Sequence, residues 1–410
     1  MSENEKRLLV PQLRFPEFQE DSEWLAPTLG DVSEPVNERV GDRKLIPISI
    51  SAGIGFVPQS EKFGRDISGN QYKLYTVVRD GDFVYNKGNS LKFPQGCVYN
   101  LQGWGEVAAP NVFICFRLKD GYENGFYRQC FEKNAHGIQL RKHITSGARS
   151  NGLLNISKEA FYSVKIPTPK VAEQKKIADC LSSLDNLLTA EVQKLDALKK
   201  YKKGLLQQLF PREDETEPRL RFPEFREAEE WEKKTLLELA ENLNYLRVPV
   251  TEKDRTKGNT PYYGASGIVD YINDFIFDED LLCISEDGAN LVARTTPIAF
   301  SISGKTWVNN HAHVLRFGHW RIQKIVEDYL NSISLEDYLT GMAQPKLNRA
   351  MLDTVLVPIP QDEDEQQAIA DCLSSLDDLI FAQAKKIEAL KNHKRGLVQQ
   401  LFPVLDEVSA

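Results

Sequence analysis

No uninterrupted apolar run in the chain approaches the ~18 residues that a membrane-spanning helix needs. The opening MSENEKRLLVPQLRF has no apolar core, so no secretory signal is expected and a cytoplasmic location is. Cysteine is scarce. Cys97, Cys115, Cys130, Cys180, Cys283 and Cys372 are scattered without a CxxC spacing, which argues against a disulfide frame and a zinc ribbon and predicts reduced, mostly buried thiols. Net positive charge is missing too, at −8 over 410 residues, so any nucleic-acid contact must come from local basic surface or partly from another subunit. Catalytic motifs are equally short. There is no Asn-Pro-Pro-Tyr or Asp-Pro-Pro-Tyr tetrapeptide of an amino-methyltransferase. Gly304-Lys305-Thr306 looks like the end of a phosphate loop, but the Gly required five residues earlier is Ala299. Glu232-Lys-Lys234 lacks the acidic strand that a nuclease motif would place before it. His311 and His313 could share one strand face, yet no third ligand lies nearby, so a packed or DNA-facing pair is expected rather than a metal site. With no Ser/His/Asp or Cys/His set legible, the residues argue for a binder rather than an enzyme.

What is present is a repeat. IADCLSSLD at Ile177–Asp185 returns unchanged at Ile369–Asp377, and GLLQQLFP at Gly204–Pro211 returns as GLVQQLFP at Gly396–Pro403, both 192 residues later. Each copy carries a heptad seam. In the first, Ile177, Leu181, Leu184, Leu188, Leu195, Leu198, Leu205 and Leu209 alternate at steps of four and three. In the second, Ile369, Leu373, Leu376, Ile380, Ile387, Leu390, Leu397 and Leu401 do the same. Polar residues break both seams at matching places, Glu191 with Gln383 and Lys202 with Lys394. Such breaks fix register at some cost in stability. A seam of about 37 residues implies a rod of ~55 Å, too long for an ordinary core helix. The two copies are therefore expected to pair with each other. Acidic-Gln pairs, Glu173-Gln174 and Glu365-Gln366, open the helices and suit the helix dipole. A second repeat opens each half: LRFPEF at Leu13–Phe18 recurs 207 residues later at Leu220–Phe225, and Trp24 recurs as Trp231. The second half is thus 15 residues shorter than the first.

Between opening and helix lie two bodies, about 30–167 and 236–358, with little mutual resemblance in sequence. Each reads as mixed α/β. The Asp-Gly pair within Tyr75–Tyr85 predicts a hairpin, Asn111–Leu118 a strand, and Phe126–Lys133 and Lys158–Ser163 helices. In the second body Ile268–Phe277, Leu281–Ser285, Pro297–Ser303 and Trp307–Phe317 read as strands and Ile322–Ser332 as an amphipathic helix. Polar, basic and aromatic residues gather in the turns. Asn86, Lys87, Asn89, Ser90 and Lys92 follow the predicted hairpin, and Arg141, Lys142 and Arg149 form a second set. In the second body the candidates are Arg255, Lys257, Tyr262, Tyr263, Ser266, Lys305, Asn309, Asn310 and His311. Asn can bond adenine in a bidentate manner, Arg and Lys can bond guanine or phosphate, and Gly allows close backbone approach. These residues are the candidate DNA contacts; ordinary solvated loops are the alternative.

LRFPEF, PTPKVAEQKKIA at Pro167–Ala178, PIPQDEDEQQAIA at Pro358–Ala370, the paired helices ending in LLQQLFP and LVQQLFP, and PYYGASG and GKTWVNNHAHVL in the second body together resemble the specificity subunits of type I restriction–modification systems. The resemblance covers essentially the whole chain. It implies a mixed α+β fold with an internal pseudo-twofold repeat: target-recognition domain 1 over 1–170, a long helix over 171–211, target-recognition domain 2 over 212–362, a second long helix over 363–403 in an antiparallel coiled coil with the first, and a tail at 404–410. It further implies that each domain reads one half of a bipartite asymmetric DNA site and that the helix pair sets the spacing. Two adenine-methyltransferase subunits would dock on the helices, and restriction subunits could join them. No cofactor is expected on this chain; S-adenosylmethionine, ATP and Mg2+ would sit on the partners. The competing readings are a coiled-coil scaffold without a nucleic-acid role, which the two substantial bodies oppose, and a fused or type IIG-like methyltransferase–specificity enzyme, which the missing tetrapeptide opposes.

Overall fold

The structure, a computed structural model, describes residues 9–51, 53–88, 93–144, 154–341 and 344–403. The chain divides into two compact units. Unit 1 comprises the described residues of 1–190 and 387–410, and unit 2 comprises residues 191–386.

Both repeats fold into long helices of 39 residues, Val171–Leu209 and Glu363–Leu401. Unit 1 holds the start of the first helix and the end of the second; unit 2 holds the other two halves. Every position of both heptad seams is buried or half-buried, and the residues between them are mostly exposed. In unit 1, Ile177 and Leu181 share a core with Leu397, Val398 and Leu401, and further along Asp185 Oδ1 meets Lys394 Nζ at 2.5 Å. In unit 2, Leu206 and Leu209 share a core with Ile369 and Leu373, and Lys202 Nζ meets Asp377 Oδ1 at 2.6 Å. The helix segments therefore run antiparallel within each unit. The matched polar breaks are satisfied. Gln383 Nε2 donates to Glu191 Oε2 at 2.6 Å and to the Glu191 carbonyl at 2.9 Å, and Lys386 bonds Glu191 Oε1 at 2.6 Å. Buried polar groups persist where they find partners, and these do.

Unit 1 has eight strands: β1 (Ser33–Pro35), β2 (Ile46–Ser51), β3 (Gly55–Pro58), β4 (Thr76–Arg79), β5 (Phe83–Asn86), β6 (Cys97–Asn100), β7 (Glu106–Ala109) and β8 (Ile114–Leu118). They form two sheets, ordered β1-β8-β5-β6 and β3-β2-β7-β4, with β2 and β7 parallel. Unit 2 has β9 (Glu232–Thr235), β10 (Ala240–Asn242), β11 (Lys257–Gly264), β12 (Gly267–Ile272), β13 (Phe277–Asp278), β14 (Leu281–Ser285), β15 (Ala299–Ile302), β16 (Lys305–Val308), β17 (Ala312–Phe317) and β18 (Leu356–Ile359). Its four-stranded sheets run β10-β17-β14-β15 and β12-β11-β16-β13, with β11 and β16 parallel. Strand for strand, β1–β8 and β10–β17 trace one topology. The bodies are dissimilar in sequence and alike in plan.

Three local expectations are corrected. Tyr75–Tyr85 is not a hairpin: β4 pairs with β7, whereas β5 pairs with β6 and β8 in the other sheet. Gly81, at φ +95°, supports the turn that moves the chain between sheets. Asp82, fully buried, anchors that turn by accepting from the Arg79 N–H at 2.8 Å and from Arg117 Nε at 2.7 Å. The predicted strand Trp307–Phe317 is two strands, β16 and β17, separated by the turn at Asn309–His311. Ile268–Phe277 is broken likewise, into β12 and β13.

The repeated openings brace the helix starts. Arg14 Nε and Nη2 grip Glu173 at 2.8 and 2.7 Å, and Arg221 grips Glu365 at 2.8 Å through each of the same two nitrogens. The Leu13 N–H donates to the Gln400 carbonyl at 3.0 Å, and the Leu220 N–H donates to the Gln208 carbonyl at 2.9 Å. Phe402 packs on Trp24 and Phe126; Phe210 packs on Trp231 and Tyr329.

Candidate nucleic-acid interface

In unit 2 three strand ends converge. The Asn309 N–H after β16 donates to the Tyr263 carbonyl on β11 at 3.0 Å, and the Glu286 N–H after β14 donates to the His311 carbonyl at 2.9 Å. Ser285 Oγ bonds the Ala265 carbonyl. The turns 265–266, 286–290 and 309–311 thus form one cluster, carrying Ser266, Asp287, Asn310 and His311 at its surface. Asn309 itself is buried and structural: its Oδ1 accepts from the His311 N–H at 2.8 Å, holding the turn. Asn310 is exposed. His311 is exposed with Nδ1 2.8 Å from Asp287 Oδ2.

His313 has a different role from its neighbour. It is fully buried, with Nε2 2.7 Å from the Leu347 carbonyl and Nδ1 2.7 Å from Asn244 Nδ2. A carbonyl can only accept, so Nε2 carries the proton and Nδ1 accepts. Burial pushes the His313 imidazole below its ordinary pKa, which keeps it neutral. The two imidazoles do not converge on a metal, and among the described residues no group of three or more His, Cys, Asp or Glu is placed to hold one. Beneath the cluster, burial works to raise the Glu286 carboxyl, but the hydrogen bond and charge of Arg247 and the hydrogen bond of Lys346 hold it below the usual range.

The remaining second-body candidates lie elsewhere. Tyr262 is 1% exposed and bonds the Val250 backbone through its hydroxyl; the Arg255 guanidinium lies 4.5 Å from its ring centroid. It is a packing residue that positions Arg255, itself tied to Asp270 at 3.2 Å. Tyr263 stacks on Phe300 at 5.9 Å. Lys257 and Lys305 are exposed at the far ends of β11 and β16 from the turn cluster, Lys305 over the Phe275 ring at 4.6 Å.

The counterpart turns in unit 1 follow β2, β5 and β7. Asn86 Nδ2 reaches the Ile50 carbonyl at 3.4 Å and Asn86 Oδ1 accepts from the Gly88 N–H at 2.8 Å, so the ends of β2 and β5 meet. Lys87 Nζ bonds the Ile156 carbonyl at 3.3 Å. Arg141 and Lys142 are exposed in a short 3-10 turn. Asn89, Ser90, Lys92 and Arg149 lie outside the described residues.

Comparison with known proteins decides the family. The model of the type I restriction modification DNA specificity domain matches residues 77–200 and 228–392, once in each half and over more than half of the chain. The chain belongs to this specificity family. A Haemophilus influenzae protein assigned as a type I restriction enzyme specificity subunit is 34% identical over 152 residues, covering 37% of this chain and 39% of that protein. The MjaVIII specificity subunit of a type I restriction enzyme from Methanocaldococcus jannaschii is 26% identical over 293 residues, covering 65% of this chain and 68% of the relative. The match thus spans well under half of the first relative and about two thirds of the second. In fold, the chain is similar to the crystal structure of a type I system S subunit from M. genitalium, with a TM-score of 0.63 at 14% identity over 97% of this chain and 100% of that one. A structure from work on assembly and conformational transition of the type I restriction–modification system aligns at a TM-score of 0.53 and 16% identity, over 93% of this chain and 97% of that one. No helix of the described residues is long and apolar enough to cross a membrane.

Within this family member, reading the sequence alone missed the Arg14–Glu173 and Arg221–Glu365 braces. Their signal was present: both arginines sit in the repeated LRFPEF and both glutamates in the repeated helix opening. It also missed two capping boxes, Thr28 with Asp31 and Thr235 with Glu238, 207 residues apart.

Proposed function

We propose that this chain is the DNA-reading subunit of a type I restriction–modification complex, each unit reading one half of a bipartite asymmetric site through the turns that follow its parallel strand pair and the neighbouring strand. The long helices set the gap between half-sites and dock the adenine-methyltransferase subunits; S-adenosylmethionine, ATP and Mg2+ belong to the partners, and no chemistry occurs on this chain. The recognition set of unit 2 is Ser266, Asn310 and His311, with Lys257 and Lys305 contributing phosphate contacts; in unit 1 it is Asn86, Lys87, Arg141 and Lys142. The observation that carries this reading is the repetition of one strand plan in two bodies whose turn residues differ. A common plan with different polar turns suits one docking mode and two different half-sites.

The test is Asn310→Ala, assembled with its methyltransferase subunit. A lost base contact costs ~1–3 kcal/mol of discrimination, about fivefold to a hundredfold. Methylome sequencing should then show relaxed choice of bases in one half-site, with the other half-site, the gap and subunit assembly unchanged. Unaltered specificity would remove the turn cluster from the interface, and loss of assembly would mark the residue as structural.

A further inference from the structure

The five-residue helices Lys158–Tyr162 and Arg349–Asp353 are counterparts. Each opens on a side-chain cap, Ser157 Oγ accepting from the Ala160 N–H and Asn348 Oδ1 from the Met351 N–H. Each leads into a Pro-containing segment, VKIPTP or VLVPIP, 191 residues apart. This spacing sets Lys158 against Arg349 and Tyr162 against Asp353. In unit 2 the cation finds its anion within the chain: Arg349 Nε lies 3.4 Å from Asp353 Oδ2, and Asp353 Oδ1 accepts from Asn242 Nδ2 at 3.3 Å.

In unit 1 the corresponding carboxylate is missing. Lys158 is exposed and makes no ion pair or hydrogen bond among the described residues. The Tyr162 hydroxyl is buried without a hydrogen-bond partner. Such a group costs free energy unless something accepts from it. Burial pushes that phenol up to about 12, so at neutral pH it carries its proton. Both residues line a cleft with Asn37, Arg39, Thr76 and Asn111, and no carboxylate among the described residues lines it. Arg39 spends Nη1 on the Leu74 carbonyl and on Asn111 Oδ1, leaving its other nitrogens without a partner among the described residues. The cleft is open to solvent and offers about 50 Å3 of room. One water needs roughly 10–15 Å3, so the cleft has room for a small oxyanion.

We propose that this cleft is a phosphate site, in which an external tetrahedral oxyanion supplies the negative charge that Asp353 supplies in unit 2, held by Lys158 and Arg39 and accepting from the Tyr162 hydroxyl once that buried group is uncovered. The chemistry is shared by two sources, a phosphodiester of a DNA backbone and a free phosphate group. The site itself does not depend on the DNA-reading role.

Titrating the full chain with inorganic phosphate at fixed ionic strength, followed by calorimetry, should show saturable uptake of one phosphate. Lys158→Gln should weaken it about tenfold, as loss of a charge-assisted contact implies, and Tyr162→Phe several-fold. Because Lys158 is exposed and has no ion pair or hydrogen bond among the described residues to lose, a nearly unchanged melting midpoint should verify that Lys158→Gln is folded. Arg349→Gln should leave phosphate uptake unchanged. Absence of saturable uptake by the unaltered chain, or uptake by Lys158→Gln and Tyr162→Phe equal to it, overturns the site whether or not the chain binds DNA. A duplex-binding arm separates the sources. If Lys158→Gln also weakens duplex binding, the site takes a backbone phosphate; if it loses inorganic phosphate alone, the site takes a free phosphate group.

Discussion

Around Lys202 in unit 2, four charges are locked together: Lys202 lies 2.6 Å from both Asp328 and Asp377, and Lys324 lies 2.9 and 2.5 Å from the same two. Around Lys394 in unit 1 the counterparts are looser. Lys394 touches Asp185 at 2.5 Å, but Glu132 stands 3.6 Å away, and Arg128 is 3.6 Å from Asp185 and 3.7 Å from Glu132. The Asp328 side chain is 3% exposed and that of Glu132 47%. The helix members of the two clusters are repeats of each other, Asp185 with Asp377 and Lys202 with Lys394. The body members are not. A duplicated helix therefore presents one charge pattern, and the body packed on it decides whether that pattern becomes a buried network or a solvated pair.

The sharpest way to probe this contrast is through the arginine braces, which share one geometry in both units, although only Glu365 also accepts from a tryptophan, Trp231 Nε1 at 3.3 Å. Arg14→Ala and Arg221→Ala each strand a buried glutamate, so each should cost roughly 3–5 kcal/mol in urea unfolding of the full chain. A large difference between them would mean that the braces are not equivalent. The clusters come next. Lys202→Met should cost about 2–3 kcal/mol, because nearly buried Asp328 loses a partner, and Lys394→Met under about 1 kcal/mol, because its partners are solvated.

The pH dependence should separate the clusters further. Burial raises the Asp377 carboxyl, but hydrogen bonds and charge from Lys202 and Lys324 more than offset this and leave it below its ordinary value. A carboxyl depressed by folding stabilises fully above its unfolded pKa of ~3.9 and loses that contribution as pH falls through the lower folded value. Lys202→Met should therefore flatten the stability profile below about pH 4, as measured by denaturant titration across pH. The smallest expected effect is Gln383→Glu, which sets a second carboxylate against Glu191. Its melting midpoint should fall at neutral pH and recover towards that of the unaltered chain on acidification. A midpoint insensitive to pH would show that Lys386 already compensates.

The helices and openings were legible because the chain states them twice, and a seam of leucines admits one period. The plan of the bodies was not. Their strands are two to eight residues long and alternate between sheets, so Asp80-Gly81 carries the composition of a hairpin turn while Asp82 and Arg117 hold it as a crossover. The candidate interface was half legible. Asn310 and His311 reach the surface together because Asn309, beside them in sequence, is spent on the turn. Tyr262 lies in the same kind of polar stretch, yet it points into the core and lends its ring to Arg255. Residue type alone does not reveal which side chain of a turn is consumed in building it.

Unit 1 draws on residues from both ends of the numbering, whereas unit 2 is one unbroken stretch. During synthesis on the ribosome, unit 2 has all of its chain once residue 386 has emerged. The pocket around Trp24 and Phe126 must wait for Phe402, 367 residues after the first strand ends at Pro35. Loop closure over that distance is a modest entropic cost, growing only with the logarithm of length, but it is a long delay. The half that is made first is the half that finishes last, and until it does, its aromatic core needs shielding from the cell around it.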